Sequence, residues 1–305
     1  MMLSIMYKIN QHFKFLNLNS MKKLTSISLA IVLMAGLFLG CKKTDDQVAP
    51  ILPPAGSMTI DFSNFTSTQK SATIESQVNG VAAADKSNLN TAVLIAGVWN
   101  YILGVNLVVP VSSFKLAMNS TPTFLGENKW EWKYSFDVVG GTKYKARLTG
   151  LVGSSDVKWE MYISREGVSN AFSEVKWFEG SSALDGKSGQ WTLNHSKEFL
   201  EPMLQIDWVA VGTGMGKIKY TYVRETKDDR SADFFKTSSI EYGLTANPLN
   251  AYYNVHQNTG VANSFNDVNI EWSTTTFNGH IKSNNVFFND LWHCWNGTGD
   301  NVDCN

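Results

Sequence analysis

Few of the residues that mark chemistry are present, and those few are scattered. Cysteine occurs three times, at Cys41, Cys294 and Cys304, with no CxxC pair. That excludes the zinc modules built on such pairs. HExxH and GxSxG are absent, so neither a zincin helix nor a nucleophile elbow is available. The five histidines include His195, His256, His280 and His293, which share no ligand spacing. Neither sign of charge dominates, with 26 Lys and Arg against 27 Asp and Glu. Nucleic-acid binding, which needs a basic excess, is therefore not expected.

Partial matches to catalytic motifs fail on inspection. Gly212–Lys217 (GTGMGK) resembles a phosphate loop, but Val211 and Ile218 stand where Gly and Ser or Thr are required. The stretch also opens the strand-like run KIKYTYV instead of a helix, so it reads as a hairpin turn. Ser67-x-x-Lys70 and Ser112-x-x-Lys115 match the SxxK of serine acyl-enzymes. No SDN accompanies them, and Lys236-Thr237-Ser238 lacks the Gly of KTG. Asp300, Asn301 and Asp303 lack the register of a calcium loop. No catalytic residue, cofactor site or metal site is assigned.

What is abundant is alternation. In Lys129–Val138, Trp130, Trp132, Tyr134, Phe136 and Val138 take the even positions and Glu131, Lys133, Ser135 and Asp137 the odd ones. Tyr144, Ala146 and Leu148 repeat the pattern, as do Val157, Trp159, Met161 and Ile163. A period of two sends successive side chains to opposite faces of a strand. Links as short as Gly140-Gly141 permit only antiparallel neighbours. Further strands are expected around Trp177, Trp191, Met203–Val209 and Lys217–Arg224. Weaker ones fall at Met58–Phe62, Phe234–Tyr242, Ala251–His256, Val268–Ser273 and Phe277–Lys282. The expected fold is mainly β: an antiparallel meander of about ten strands curled into a barrel or half-barrel. Trp130, Trp132, Trp159, Trp177, Trp191 and Trp208 fall on its inward face. They are either core or a ligand-facing stripe, since tryptophans also line apolar pockets.

Ser87–Val109 breaks this pattern. Its apolar residues, Leu89, Val93, Leu94, Trp99, Tyr101 and Leu103 among them, leave no polar side. A helix apolar all round is buried in a core or in a membrane. A buried helix is expected, Leu94 included, with Ser87 as N-cap and Pro110 as a stop signal. Val111–Met118 is expected as a second short helix or a strand. In the helical case Phe114 and Ala117 share one face.

The N-terminus carries the one family resemblance. From Met21 the chain reads MKKLTSISLAIVLMAGLFLGC, with Lys22 and Lys23 ahead of an apolar run too short for a stable span. This resembles the signal of bacterial lipoproteins, those of the Bacteroidota in particular, and departs from the usual pattern at Phe38 and Leu39. The true start is expected at Met21, with residues 1–20 as untranslated upstream sequence; the resemblance implies 21–40 as a signal peptide, cleavage after Gly40 and acylation of Cys41. Residues 41–57, with Pro50, Pro53 and Pro54, form a tether; 58–305 form one β-rich domain. Loss of residues 1–40 removes Lys8, Lys14, Lys22 and Lys23 but no acid. The remainder carries 22 basic and 27 acidic residues, a net charge of −5.

Export to an oxidising compartment makes a Cys294–Cys304 disulfide the expected state. The rival, a metal site adding His293, lacks a fourth ligand. The localisation implied is the outer membrane, lipid-anchored and facing the periplasm or the cell surface. The partners are the membrane itself and either an envelope component or a hydrophobic ligand. Two functions follow: a structural or surface-binding lipoprotein, or a carrier holding a lipid-like molecule in the concave face of the sheet.

Overall fold

The computed structural model describes residues 47–60, 62, 85–138, 142–261 and 264–304. The signal-like segment, Cys41, the start of the tether up to residue 46 and Ser67–Lys70 lie outside them. The folded unit begins at Ala49.

Fourteen strands form one sheet: β1 (Thr123–Gly126), β2 (Lys129–Val138), β3 (Thr142–Val152), β4 (Asp156–Arg165), β5 (Phe172–Ala183), β6 (Ser188–Asn194), β7 (Pro202–Val211), β8 (Gly214–Tyr222), β9 (Ser239–Leu244), β10 (Ala251–Asn258), β11 (Phe265–Trp272), β12 (Gly279–Lys282), β13 (His293–Trp295) and β14 (Asn301–Val302). Their spatial order is their sequence order, and every neighbouring pair is antiparallel. The period-two segments β2, β3 and β4 pair in register, Trp132 opposite Leu148 and Leu148 opposite Met161.

The sheet is a meander, as expected, but an open one with β1 and β14 as its two edges. The strands number fourteen and not about ten, and of the expected barrel or half-barrel the closed form is corrected. β1, β13 and β14 are too short to show a period.

A helix and a strap cover one face of the sheet. α1 (Ser87–Ala117) continues through Pro110, where a stop was expected, and absorbs Val111–Ala117. Its two arms, Ser87–Gly104 and Leu107–Ala117, meet at 68°. Pro110 accounts for the bend. It offers no N–H to the carbonyl of Asn106 one turn earlier, and its ring crowds that carbonyl. No single helix among the described residues is long and apolar enough to cross a membrane, although the two arms pass that test together.

Lys86, not Ser87, takes the N-cap position. Asp85 instead accepts the Ser87 N–H at 2.9 Å. The strap is the segment around a 3-10 turn, Ala55–Met58. Met58–Phe62 was expected to be a strand. Instead, Met58 closes the turn, and Met58, Ile60 and Phe62 are all buried.

Candidate functional site

The aromatic face was the candidate site, and its packing follows from one repeated pairing. A single row of the sheet runs Trp130, Gly150, Trp159, Gly180, Trp191 across β2 to β6. It continues through Ile206, Tyr220 and Ile240. Each glycine lies beneath an indole. A Cβ on Gly150 would come within 2.6 Å of the Trp159 ring, and one on Gly180 would overlap the Trp191 ring. In the next row Gly189 does the same for Trp208, at 2.6 Å. Aromatic side chains covering cross-strand glycines are a recurrent device for pinning register in curved sheets.

These rings are core. Trp132, Trp159, Trp191 and Trp208 are each at most 2% exposed, and Trp130 is also buried. Phe114 of α1 packs edge-on against Trp191 at 5.1 Å and against Phe178 at 6.4 Å. Two indole N–H groups are satisfied inside: Trp159 donates to Ser182 Oγ at 2.9 Å and Trp191 to Ser57 Oγ at 3.1 Å. Ser57 belongs to the strap, so the strap is hydrogen-bonded onto the aromatic row as well as packed on it.

Trp177 departs from its expected place. Met161 pairs with Phe178 but Tyr162 with Lys176, which leaves Trp177 as the extra residue of a β-bulge. A bulge shifts the alternation by one. Trp177 is half-buried and stacks on Phe172 at 5.6 Å instead of joining the inner row.

α1 crosses this face from one end of the sheet to the other. At its start the Asn88 side-chain amide donates to the Cys294 carbonyl at 3.0 Å, and the Asn88 backbone N–H donates to Asn301 Oδ1 at 3.1 Å. At its far end Tyr134 of β2 donates its hydroxyl to the Ser113 carbonyl. Burial pushes the Tyr134 pKa well above the ordinary phenol value.

The buried side of α1 comprises Leu89, Ala92, Val93, Ala96, Trp99, Leu103, Leu107, Phe114 and Ala117, at steps of one to seven that keep one helical stripe. The other side is apolar too, and it is open. Leu94 is 70% exposed and Tyr101 74%, with Val98 between them. The expectation of a helix buried all round, Leu94 included, is thus corrected. One layer of sheet can cover only one side of a helix.

Two concavities flank this core. Beneath the bend of α1 lies an apolar cavity of about 210 Å³ lined by Ile60, Phe62, Leu103, Leu107, Val111 and Tyr220, among others. Small-molecule sites usually run to about 300–1,000 Å³, so this one is small. On the opposite, charged face a polar groove of about 430 Å³ lies over β2 to β6, with Lys129, Thr149, Lys158, Glu160, Glu179 and Gln190 on its walls. Several of its charges are internally paired: Lys158 with Asp156 at 2.7 Å, and Lys176 with both Glu179 and Glu160 at 2.6 and 3.6 Å.

The histidines sit apart, each with its own partner. His195 Nε2 is 3.0 Å from Asp228, His256 Nδ1 2.6 Å from Asp267, and His280 Nε2 3.1 Å from Glu271. His293 stacks on Phe287. Among the described residues no three His, Cys, Asp or Glu side chains come together as metal ligands. Cys294 and Cys304 are joined in a disulfide, Cα–Cα 5.3 Å.

A polar network that the sequence did not signal lies in the loop after β8. Arg224 is buried, donates to Glu201 at 2.9 Å and pairs with Asp228. Burial works to lower the Arg224 pKa, but its bonds to Asp228 and Glu201 outweigh that and raise it. Asp228 lies below its ordinary value, chiefly because of the bond from Arg224. Tyr222 donates to Asp233 at 2.8 Å. Its phenol is pushed up to about 12, by burial first and by that bond second.

The chain matches no protein-family model, no curated protein and no solved structure.

Proposed function

We propose that this protein is an envelope lipoprotein, anchored to the outer membrane through Cys41, with a structural or surface-binding role. The observation that carries the choice of role is the filled aromatic face. The six tryptophans that qualified as ligand-facing are core, apart from the half-buried Trp177. The cavity left under α1 is small. A carrier needs an open lumen, so the display of a polar sheet face is favoured over transport of a lipid-like molecule. The polar groove over β2 to β6 is the surface most suited to an envelope component, because it offers paired charges and hydroxyl and amide groups together. Anchoring is supported by Met21–Cys41, whose charged start, apolar run and terminal Cys suit lipid modification.

Cys41→Ala tests the anchor. The variant is expected in the soluble fraction after alkaline extraction of membranes, whereas the parent stays in the pellet. A variant that remains in the pellet would instead make α1 a membrane-inserted element. Native mass spectrometry tests the role. Protein purified gently should carry no stoichiometric lipid in its core, and a bound lipid lost on Leu103→Trp would favour the carrier.

A further inference from the structure

We infer that the outer side of α1 rests on the surface of a lipid bilayer. The inference builds on the reading that Cys41 is acylated, and it assigns a second, reversible membrane contact to the folded unit itself. Leu94, Val98 and Tyr101 form one exposed stripe along the first arm of α1, with steps of four and three residues. Gly97 opens a shallow groove between them, since a Cβ there would meet nothing within 4 Å. From Ser87 to Phe114 the helix carries no charged residue. The inner stripe already packs α1 on the sheet. A helix that needed only a core would present polar residues outward.

The chain leading to Cys41 identifies what covers this side. The strap packs on the same face of the sheet as α1: Ser57 bonds Trp191, Phe62 stacks on Tyr253 at 5.5 Å, and Ile51 lies against Gly186 at the β5–β6 turn. The tether therefore leaves from the α1 side, and Ile51 is itself exposed there. Residues 42–48 are all that separate Cys41 from Ala49. Fully extended, that link spans about 28 Å. An acylated Cys41 would hold the α1 side within that distance of the bilayer, while the charged rows of the sheet point away. Tyr101, the last residue of the stripe, is a residue type enriched at membrane interfaces. Lys115, exposed at the end of the helix, adds attraction for anionic headgroups.

The test separates the surface from the anchor. The chain from position 41 carrying Cys41→Ser is mixed with vesicles of phosphatidylethanolamine containing phosphatidylglycerol and assayed by flotation. It is expected to float with the vesicles. Leu94→Asp combined with Tyr101→Asp is expected to lower partitioning by about tenfold, with the melting temperature unchanged. Thr192→Asp on the opposite face should leave partitioning as it was. If the double variant misfolds, Val98→Asn alone is expected to weaken flotation in a protein that melts normally.

Failure of the Cys41→Ser protein to float overturns the inference. So does flotation that these substitutions leave unchanged. A concentration-dependent dimer abolished by the same substitutions, without vesicle binding, would make the stripe an interface between copies and overturn it as well. The acyl mass on Cys41 of the parent protein is read independently. An unmodified Cys41 removes the anchor without touching the vesicle result.

Discussion

At the scale of single residues, glycine positions in this fold divide by what lies above them. Gly180 sits beneath the Trp191 ring and beside the Gln190 carbonyl, so an added methyl overlaps both. Neither neighbour can yield, since Trp191 is buried against Phe114 and Gln190 O belongs to the adjoining strand. Gly180→Ala is expected to destabilise the protein by roughly 1–3 kcal/mol, the usual cost of overpacking. Chemical denaturation followed by tryptophan fluorescence measures it. Gly97→Ala is the converse. Its Cβ meets open space in mid-helix, and the change is expected to stabilise by about 0.5–1 kcal/mol. A loss of stability there would mean that the groove is occupied in the folded protein.

The Arg224 cluster is a second residue-scale prediction. Asp228 has a depressed pKa in the folded state, so its contribution is present above the ordinary value of 3.8 and is lost as pH falls below it. Amide protection around Lys227–Ser231 should therefore decline on acidification below about pH 4, and Asp228→Asn should remove that step. Hydrogen exchange read against pH decides it. A decline that persists unchanged in Asp228→Asn would assign it to other carboxylates.

At the scale of elements, what could be read in the sequence depended on length and on uninterrupted alternation. β2, β3 and β4 are long and strictly alternating, and they pair as their pattern requires. β5 carries a bulge, which no pattern of apolar residues announces, and Trp177 is its extra residue, half-buried at the margin of the core. Met58, Ile60 and Phe62 alternate like a strand, but the strap buries them against a sheet face and not within a ladder. For α1 the apolar composition was legible and the partner was not. The sequence alone could not separate the side facing tryptophans from the side facing outward, since both are apolar.

The structure makes that separation testable. Leu94→Asp, on the open side, is expected to leave the melting temperature within a few degrees of the parent, because an exposed charge is solvated. Phe114→Ala, on the second arm and against Trp191 and Phe178, should cost about 3–5 kcal/mol. Thermal melts of the two variants side by side would show the difference.

At the scale of the molecule, an open sheet of this size has to manage two edges. Exposed edge strands invite pairing with other chains, and short strands limit the invitation. β1 is four residues and β14 two. The β14 edge has a further device. The Cys294–Cys304 disulfide closes the β13–β14 hairpin, and the start of α1 is hydrogen-bonded to that hairpin through Asn88, Cys294 and Asn301. The Asn301 amide also donates to Ser87 Oγ at 2.9 Å, and the Asn301 N–H to the Asp85 carbonyl at 2.7 Å. The last strand thus holds the first turn of the helix that crosses the whole aromatic face, so the disulfide acts on α1 as well as on its own loop.

Replacing both cysteines by serine should cost roughly 2–3 kcal/mol by loop entropy, and the loss should be unevenly distributed. Amides of His293–Val302 and of the first turn of α1 are expected to lose protection together, while β2 to β7, paired among themselves and backed by Phe114, keep theirs. Hydrogen exchange of the double variant, compared peptide by peptide with the parent, is the measurement. Loss confined to the hairpin, with the start of α1 as protected as before, would show that the helix is held by the sheet alone. Equal loss over all fourteen strands would show that the sheet unfolds as one unit, with no separable edge.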